Sequence, residues 1–137
     1  MTREFPQRIQ AIINDYRAKR HAEQQFEVNY GALLERIVPI LIEFEERFGA
    51  TRLVQLKRGR ENLVEPYLRI IRDERSTELR YKPNRESRKV EVAIGEEVWT
   101  YPPESFSDEL IEGHVESFAR GALGLVLQKD EDSITPA

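Results

Sequence analysis

Two stretches, Glu78-Leu79-Arg80-Tyr81-Lys82 and Lys89-Val90-Glu91-Val92-Ala93-Ile94, alternate apolar and polar residues with a period of two. That period places one row of side chains on each face of a pleated strand, so each stretch predicts a strand with one buried face. The link between them is short and contains Pro83-Asn84. Parallel strands need a crossover of a dozen residues or more, so the pair is antiparallel.

Further strands are expected at Arg52 to Lys57, Tyr67 to Arg72 and Val98 to Tyr101, all rich in apolar and β-branched residues. Turn-forming clusters separate them: Arg58-Gly59-Arg60-Glu61-Asn62, Asp73-Glu74-Arg75-Ser76, Lys82-Pro83-Asn84-Arg85 and Gly95-Glu96-Glu97. The expected sheet is an antiparallel meander of four to five strands. Pro102-Pro103 ends it, since proline cannot donate to a strand ladder.

Upstream the spacing changes to three and four. Phe5, Ile9, Ile12, Ile13 and Tyr16 share one helical stripe, with Arg8, Asn14, Asp15 and Arg17 around it. The stripe resumes at Phe26, Tyr30, Leu33, Leu34, Ile37, Ile40, Leu41, Phe44 and Phe48. Two helices are expected. Asn29 is read as the cap of the second, Pro39 as a kink or break, and Gly49 as a left-handed closing residue. One unbroken helix would keep nearly the same register, but about 65 Å of helix is long for so short a chain.

Downstream, Ser105 or Ser107 can cap a last helix, with Asp108 and Glu109 against its positive end. It is expected to run to about Gln128, turning Leu110, Ile111, Val115, Phe118, Ala122, Leu125 and Val126 inward. The predicted fold is α+β: two N-terminal helices, the meander, and a C-terminal helix packed on one sheet face. Residues 1–128 are expected to form a single domain and 129–137 a flexible tail.

Composition narrows the function classes. Leu, Ile, Val and Phe make roughly 28% of the chain, above the roughly 20% below which chains stay disordered. The absence of cysteine excludes disulfides, thiolate metal sites and a cysteine nucleophile. The N-terminus shows no signal-peptide pattern, and the apolar run Ile37 to Ile42 is far too short to span a bilayer. A cytoplasmic protein with no membrane contact is expected.

The net charge of −4 is unevenly laid out, with a net +6 over residues 52–89 and −9 over 90–137. Arg69, Arg80, Lys82, Arg85 and Arg88 fall on or between strands, interleaved with Tyr67 and Tyr81. Such a face suits an acidic protein partner, or single-stranded nucleic acid through phosphate contacts and stacking. It also suits an ordinary outer sheet face neutralised by Glu78, Glu91 and the acidic last helix. Trp99 and Tyr101, with Phe106, are read as packing at the edge of the core, or as a small apolar groove.

No metal site, phosphate loop or nucleophile elbow is legible. His21 and His114 lack ligand partners at metal spacing and are expected at exposed or capping positions. Gly113, Ser117 and Gly121 stand four apart in the last helix, with Gly124 beyond. Small residues on one stripe admit a close backbone: the protein's own sheet or first helix, or else a homodimer seam. A helix stopping at Gly121 to Gly124 would undo both. The expectation is a non-enzymatic binding or regulatory protein acting as a homodimer, without a cofactor. The alternatives are single-stranded nucleic-acid binding, or a small enzyme that holds an anionic substrate on the arginines.

Overall fold

The computed structural model describes residues 1–59 and 64–125. One helix, α1, runs from Phe5 to Gly49. Five strands follow: β1 (Gln55–Arg58), β2 (Tyr67–Arg72), β3 (Arg75–Asn84), β4 (Lys89–Ile94) and β5 (Glu97–Tyr101). A short 3₁₀ turn over Pro103–Ser105 leads to α2, Asp108–Ala122. The sheet order is β1-β2-β3-β4-β5 and every pair is antiparallel, so the expected α+β class and the meander hold.

The two expected N-terminal helices are one. α1 has 45 residues, about 67 Å at 1.5 Å per residue. Asn29 is not a cap. It lies inside α1, and its side-chain oxygen accepts from Gln25 Nε2 at 3.1 Å. Pro39 leaves the Glu35 carbonyl without an intrahelical donor, but both residues are exposed, so water can take the donor's place. Gly49 is the last helical residue, and Ala50 caps with ordinary right-handed angles. The left-handed residue of the following turn is Arg52, with φ 56°.

Only the second half of α1 has a floor beneath it. Phe26, Tyr30, Leu33, Ile37 and Leu41 are buried and share one cluster with strand residues Leu68, Ile70, Leu79, Tyr81, Val90 and Val92. Ile111, Val115, Phe118 and Ala122 of α2 belong to the same cluster. Arg36 joins the two helices, donating from Nε and Nη2 to Asp108 and from Nη1 to the Phe106 carbonyl. The first half of α1 stands clear of this cluster. Every residue from Met1 to Arg20 is exposed, including Phe5 (43%), Ile9 (41%), Ile12 (67%), Ile13 (38%) and Tyr16 (62%).

Two further expectations change, and the choice of cap between Ser105 and Ser107 is decided. Pro83 lies within β3, opposite Val90, and not in a turn. The Tyr81 N–H bonds the Pro66 carbonyl on the β2 side of β3. Two residues on, Pro83 aims its missing donor to that same side, beyond the end of β2, so no ladder bond is lost. Ser107 is the cap of α2, accepting from Leu110 N at 3.1 Å. α2 stops at Ala122, Gly124 turns left-handed at φ 71°, and Leu125 is exposed rather than inward. The continuation to Gln128, Val126 and the tail 129–137 lie outside the described residues, as does the turn segment 60–63.

The β2–β3 hairpin turns on Asp73 and Glu74 with φ 49° and 65°, both left-handed and neither a glycine. This geometry favours Asn-Gly, and non-glycine residues held there cost about 1 kcal/mol or more. The double substitution Asp73→Asn with Glu74→Gly is therefore expected to raise stability by about 1 kcal/mol in urea unfolding. Pro39→Ala, which restores a helix hydrogen bond, is expected to raise it by about 1–3 kcal/mol. An unchanged midpoint would contradict the assigned turn or the continuous helix, respectively.

Candidate functional site

Strand alternation divides the sequence-selected residues between different places. Arg69, Arg80 and Lys82 lie on the outer face of the sheet, away from the helices. There Tyr67 sits between two guanidinium groups, with Arg80 Cζ 4.6 Å and Arg69 Cζ 5.2 Å from its ring centre. Glu78 ties both arginines down: it accepts from Arg69 Nη2 at 2.8 Å and from Arg80 Nε. Glu65 stands 3.7 Å from Arg80 Nη1. Burial alone would raise the Glu78 carboxyl, but the hydrogen bonds and charges of Arg69 and Arg80 outweigh it and hold it below the ordinary range. The arginine charges are therefore largely committed within the face. Lys82 is exposed, directly across from Glu91.

Arg85 and Arg88 belong to the β3–β4 loop, apart from that face. Arg85 Nε donates to Glu27 of α1 at 2.6 Å, while Arg88 holds a left-handed turn position at φ 57°. Tyr81 is not on the basic face at all. Its side chain points the opposite way from Arg80 and is fully buried.

Trp99 and Tyr101 project to the same side as Tyr81 and gather around His114 of α2. The His114 ring centre lies 5.6 Å from Tyr101, 6.0 Å from Tyr81, 6.4 Å from Phe106 and 6.5 Å from Trp99. Its Nδ1 shares a 3.3 Å hydrogen bond with Tyr81 Oη, the donor being set by the tautomer. The expectation of an exposed histidine is thus overturned, because His114 is only 8% exposed. Burial holds its pKa below the usual value and pushes the Tyr81 hydroxyl up. Trp99, 38% exposed, forms the outer wall of this box.

The small-residue stripe faces away from the core. Added Cβ atoms at Gly113 and Gly121 would meet nothing within 4 Å, and Ser117 is exposed. Packing of that stripe against the protein's own sheet or α1 is therefore corrected. With α2 ending at Ala122, the stripe is also too short to make a long seam.

A different surface brings apolar groups together. Pro39, Ile40, Phe44 and Phe48 of α1 and Val115 of α2 line an open groove of about 650 Å³. Glu43, Glu112 and Glu116 stand on its rim, with Arg47, which is paired to Glu43, and Thr51. Sequence reading placed Phe44 and Phe48 in the core stripe. The available signal was surplus: α1 carries more apolar positions than α2 and the sheet can cover.

Comparison with protein-family models, with curated proteins and with solved structures finds no match to this chain. Among the described residues no group of three His, Asp or Glu side chains is arranged to hold a metal ion, and no helix is long and apolar enough to cross a membrane.

The buried histidine sets a pH dependence. The unfolded chain takes up a proton near pH 6.5, whereas folded His114 resists it. The unfolded state then binds more protons, so stability falls as pH drops from about 6.5 toward the lower folded pKa. His114→Gln, which keeps a hydrogen-bonding group for Tyr81, is expected to flatten that window in urea titrations. Because His21 is common to both proteins, parallel profiles for the two would contradict it.

Proposed function

We propose that the chain is a non-enzymatic binding protein acting as a homodimer in the cytoplasm, and that the groove between α1 and α2 is its partner-binding surface. One observation carries this reading: an open apolar floor of Ile40, Phe44, Phe48 and Val115 with Glu43, Glu112 and Glu116 on its rim. An amphipathic helix buries its apolar face in such a groove. The acidic rim selects one whose flanks carry Lys or Arg, because opposite charges at the rim steer association and suppress wrong partners.

The alternatives have less support. Nucleic-acid binding draws on the outer sheet face, whose Arg69 and Arg80 already pair with Glu78. An enzyme that holds an anion on those arginines needs a nearby acid or base, and His114 lies on the other side of the sheet, hydrogen-bonded to Tyr81.

Two fluorescently labelled amphipathic helical peptides with the same apolar face, one with a Lys/Arg polar face and one with a Glu face, test the groove by anisotropy. The basic peptide is expected to bind in the micromolar range and to weaken with salt. Glu112→Lys with Glu116→Lys is expected to cost it at least about tenfold. Equal affinity for both peptides, or binding indifferent to the reversal, would remove the groove from consideration.

A further inference from the structure

The exposed arm of α1 carries an apolar stripe in the same heptad register as the buried half of the helix. Phe5, Ile9, Ile12 and Tyr16 continue, at steps of three and four, the row that becomes Phe26, Tyr30, Leu33 and Ile37. Between the two blocks the register positions are Lys19 and Glu23. The row is therefore apolar where the protein's own sheet covers it, charged over one gap, and apolar again where none of the described residues covers it.

We infer that a second copy of this chain covers the arm, the two arms pairing antiparallel to make a dimer. This rests on the reading of the chain as a homodimer and assigns the surface that joins it.

The first argument is symmetry. Reversed on itself, the stripe sets Phe5 against Tyr16 and Ile9 against Ile12, each layer occurring twice, so all four core residues are filled. In an antiparallel pair the flanking positions that meet are then Arg8 with Asp15 on one side, and Pro6 with Ile13 on the other. Flanking charges set the choice and orientation of partners in paired helices. Here the two-fold axis turns a single Arg8 and a single Asp15 into two opposite-charge pairs.

The second argument is length. With Phe5, the first residue of α1, opposite Tyr16, the partner helix ends three residues short of Lys19. Lys19 is where α1 first meets its own body, in a cleft that Lys19, Arg20 and Glu23 line with Arg85, Glu86 and Arg88 of the β3–β4 loop. The apolar row changes to Lys19 near the point where the partner helix runs out. A parallel pair is disfavoured by the same register. The stripe faces the side on which the body sits, so a parallel partner would drive its body into the first.

The third argument is area. The five exposed apolar side chains offer on the order of 500 Å² per arm, roughly 1,000 Å² for a pair, near the lower limit of specific interfaces. The expected dimer is therefore of micromolar affinity and concentration-dependent.

The test uses the full chain in sedimentation velocity from about 1 μM to about 500 μM. The expected result is a dimer at the upper end. Arg8→Glu sets like charges against Asp15 and is expected to weaken association at least about tenfold, and Arg8→Glu with Asp15→Arg is expected to restore it. Both positions are exposed, so the fold is not at stake. Orientation is read by disulfide formation, since the chain has no cysteine of its own. A mixture of Phe5→Cys and Tyr16→Cys proteins is expected to cross-link into a heterodimer, while neither does so alone, because like positions lie about 16 Å apart. Cross-linking of Phe5→Cys with itself would show a parallel pair and overturn the proposal.

A dimer untouched by the Arg8 reversal overturns the arm as the joining surface but leaves the homodimer reading in place. A monomer at every concentration overturns both. A monomer whose arm adsorbs to vesicles of anionic lipid would assign the stripe to a membrane surface instead.

Discussion

The inner face of the sheet has to be covered, and the second half of α1 is the largest element that covers it. A meander with one apolar face gains its stability by packing that face on something else. Here Leu68, Ile70, Leu79, Tyr81, Val90 and Val92 meet Phe26, Tyr30, Leu33, Ile37 and Leu41, and all are buried. That contact fixes the rotation of α1 about its own axis. Through an unbroken helix it also fixes the side to which every residue of the exposed arm points. The groove follows from the same constraint: α1 extends past the covering reach of α2, leaving Ile40, Phe44 and Phe48 at an open margin.

The period-two stretches were reliable because each strand has one buried and one solvated face, and the side-chain period then reports the environment directly. The short links gave the meander for the same local reason. What the sequence concealed were events decided by the rest of the fold. Asn29 is a good cap in isolation, but Phe26 and Tyr30 on either side of it are buried, and that burial favours a continuous helix. Pro83 reads as a turn residue until the end of β2 leaves its missing donor with nothing to lose. His114 looks polar and exposed, yet Tyr81, 33 residues away in sequence, supplies the hydrogen bond that lets it be buried. The groove was hidden because no local pattern separates apolar residues that are covered from those that are left over.

The charge asymmetry resolves in an unexpected way. Part of the basic middle of the chain is paired with carboxylates near it and on α1: Arg69 and Arg80 with Glu78, Arg58 with Glu45, Arg85 with Glu27. Among the described residues the acidic last helix contributes little to this: Asp108 pairs with Arg36 of α1, and that pair is exposed. Glu112 and Glu116 remain turned toward solvent at the groove, so two carboxylates of the chain's final third stand beside its apolar floor.

A rigid helix of this length also acts as a ruler. In an arm-joined pair the groove around Phe44 lies some 33 residues from the two-fold axis. At 1.5 Å per residue the two grooves stand on the order of 100 Å apart, facing opposite ends of one rod. Two such grooves held at a fixed span would favour ligands that are themselves repeated at that spacing. Such ligands gain avidity, whereas a compact partner with a single helix engages only one site. Inserting or deleting a heptad in the gap around Lys19 to Glu23 would reset that span by about 10 Å per protomer while preserving the register on both sides.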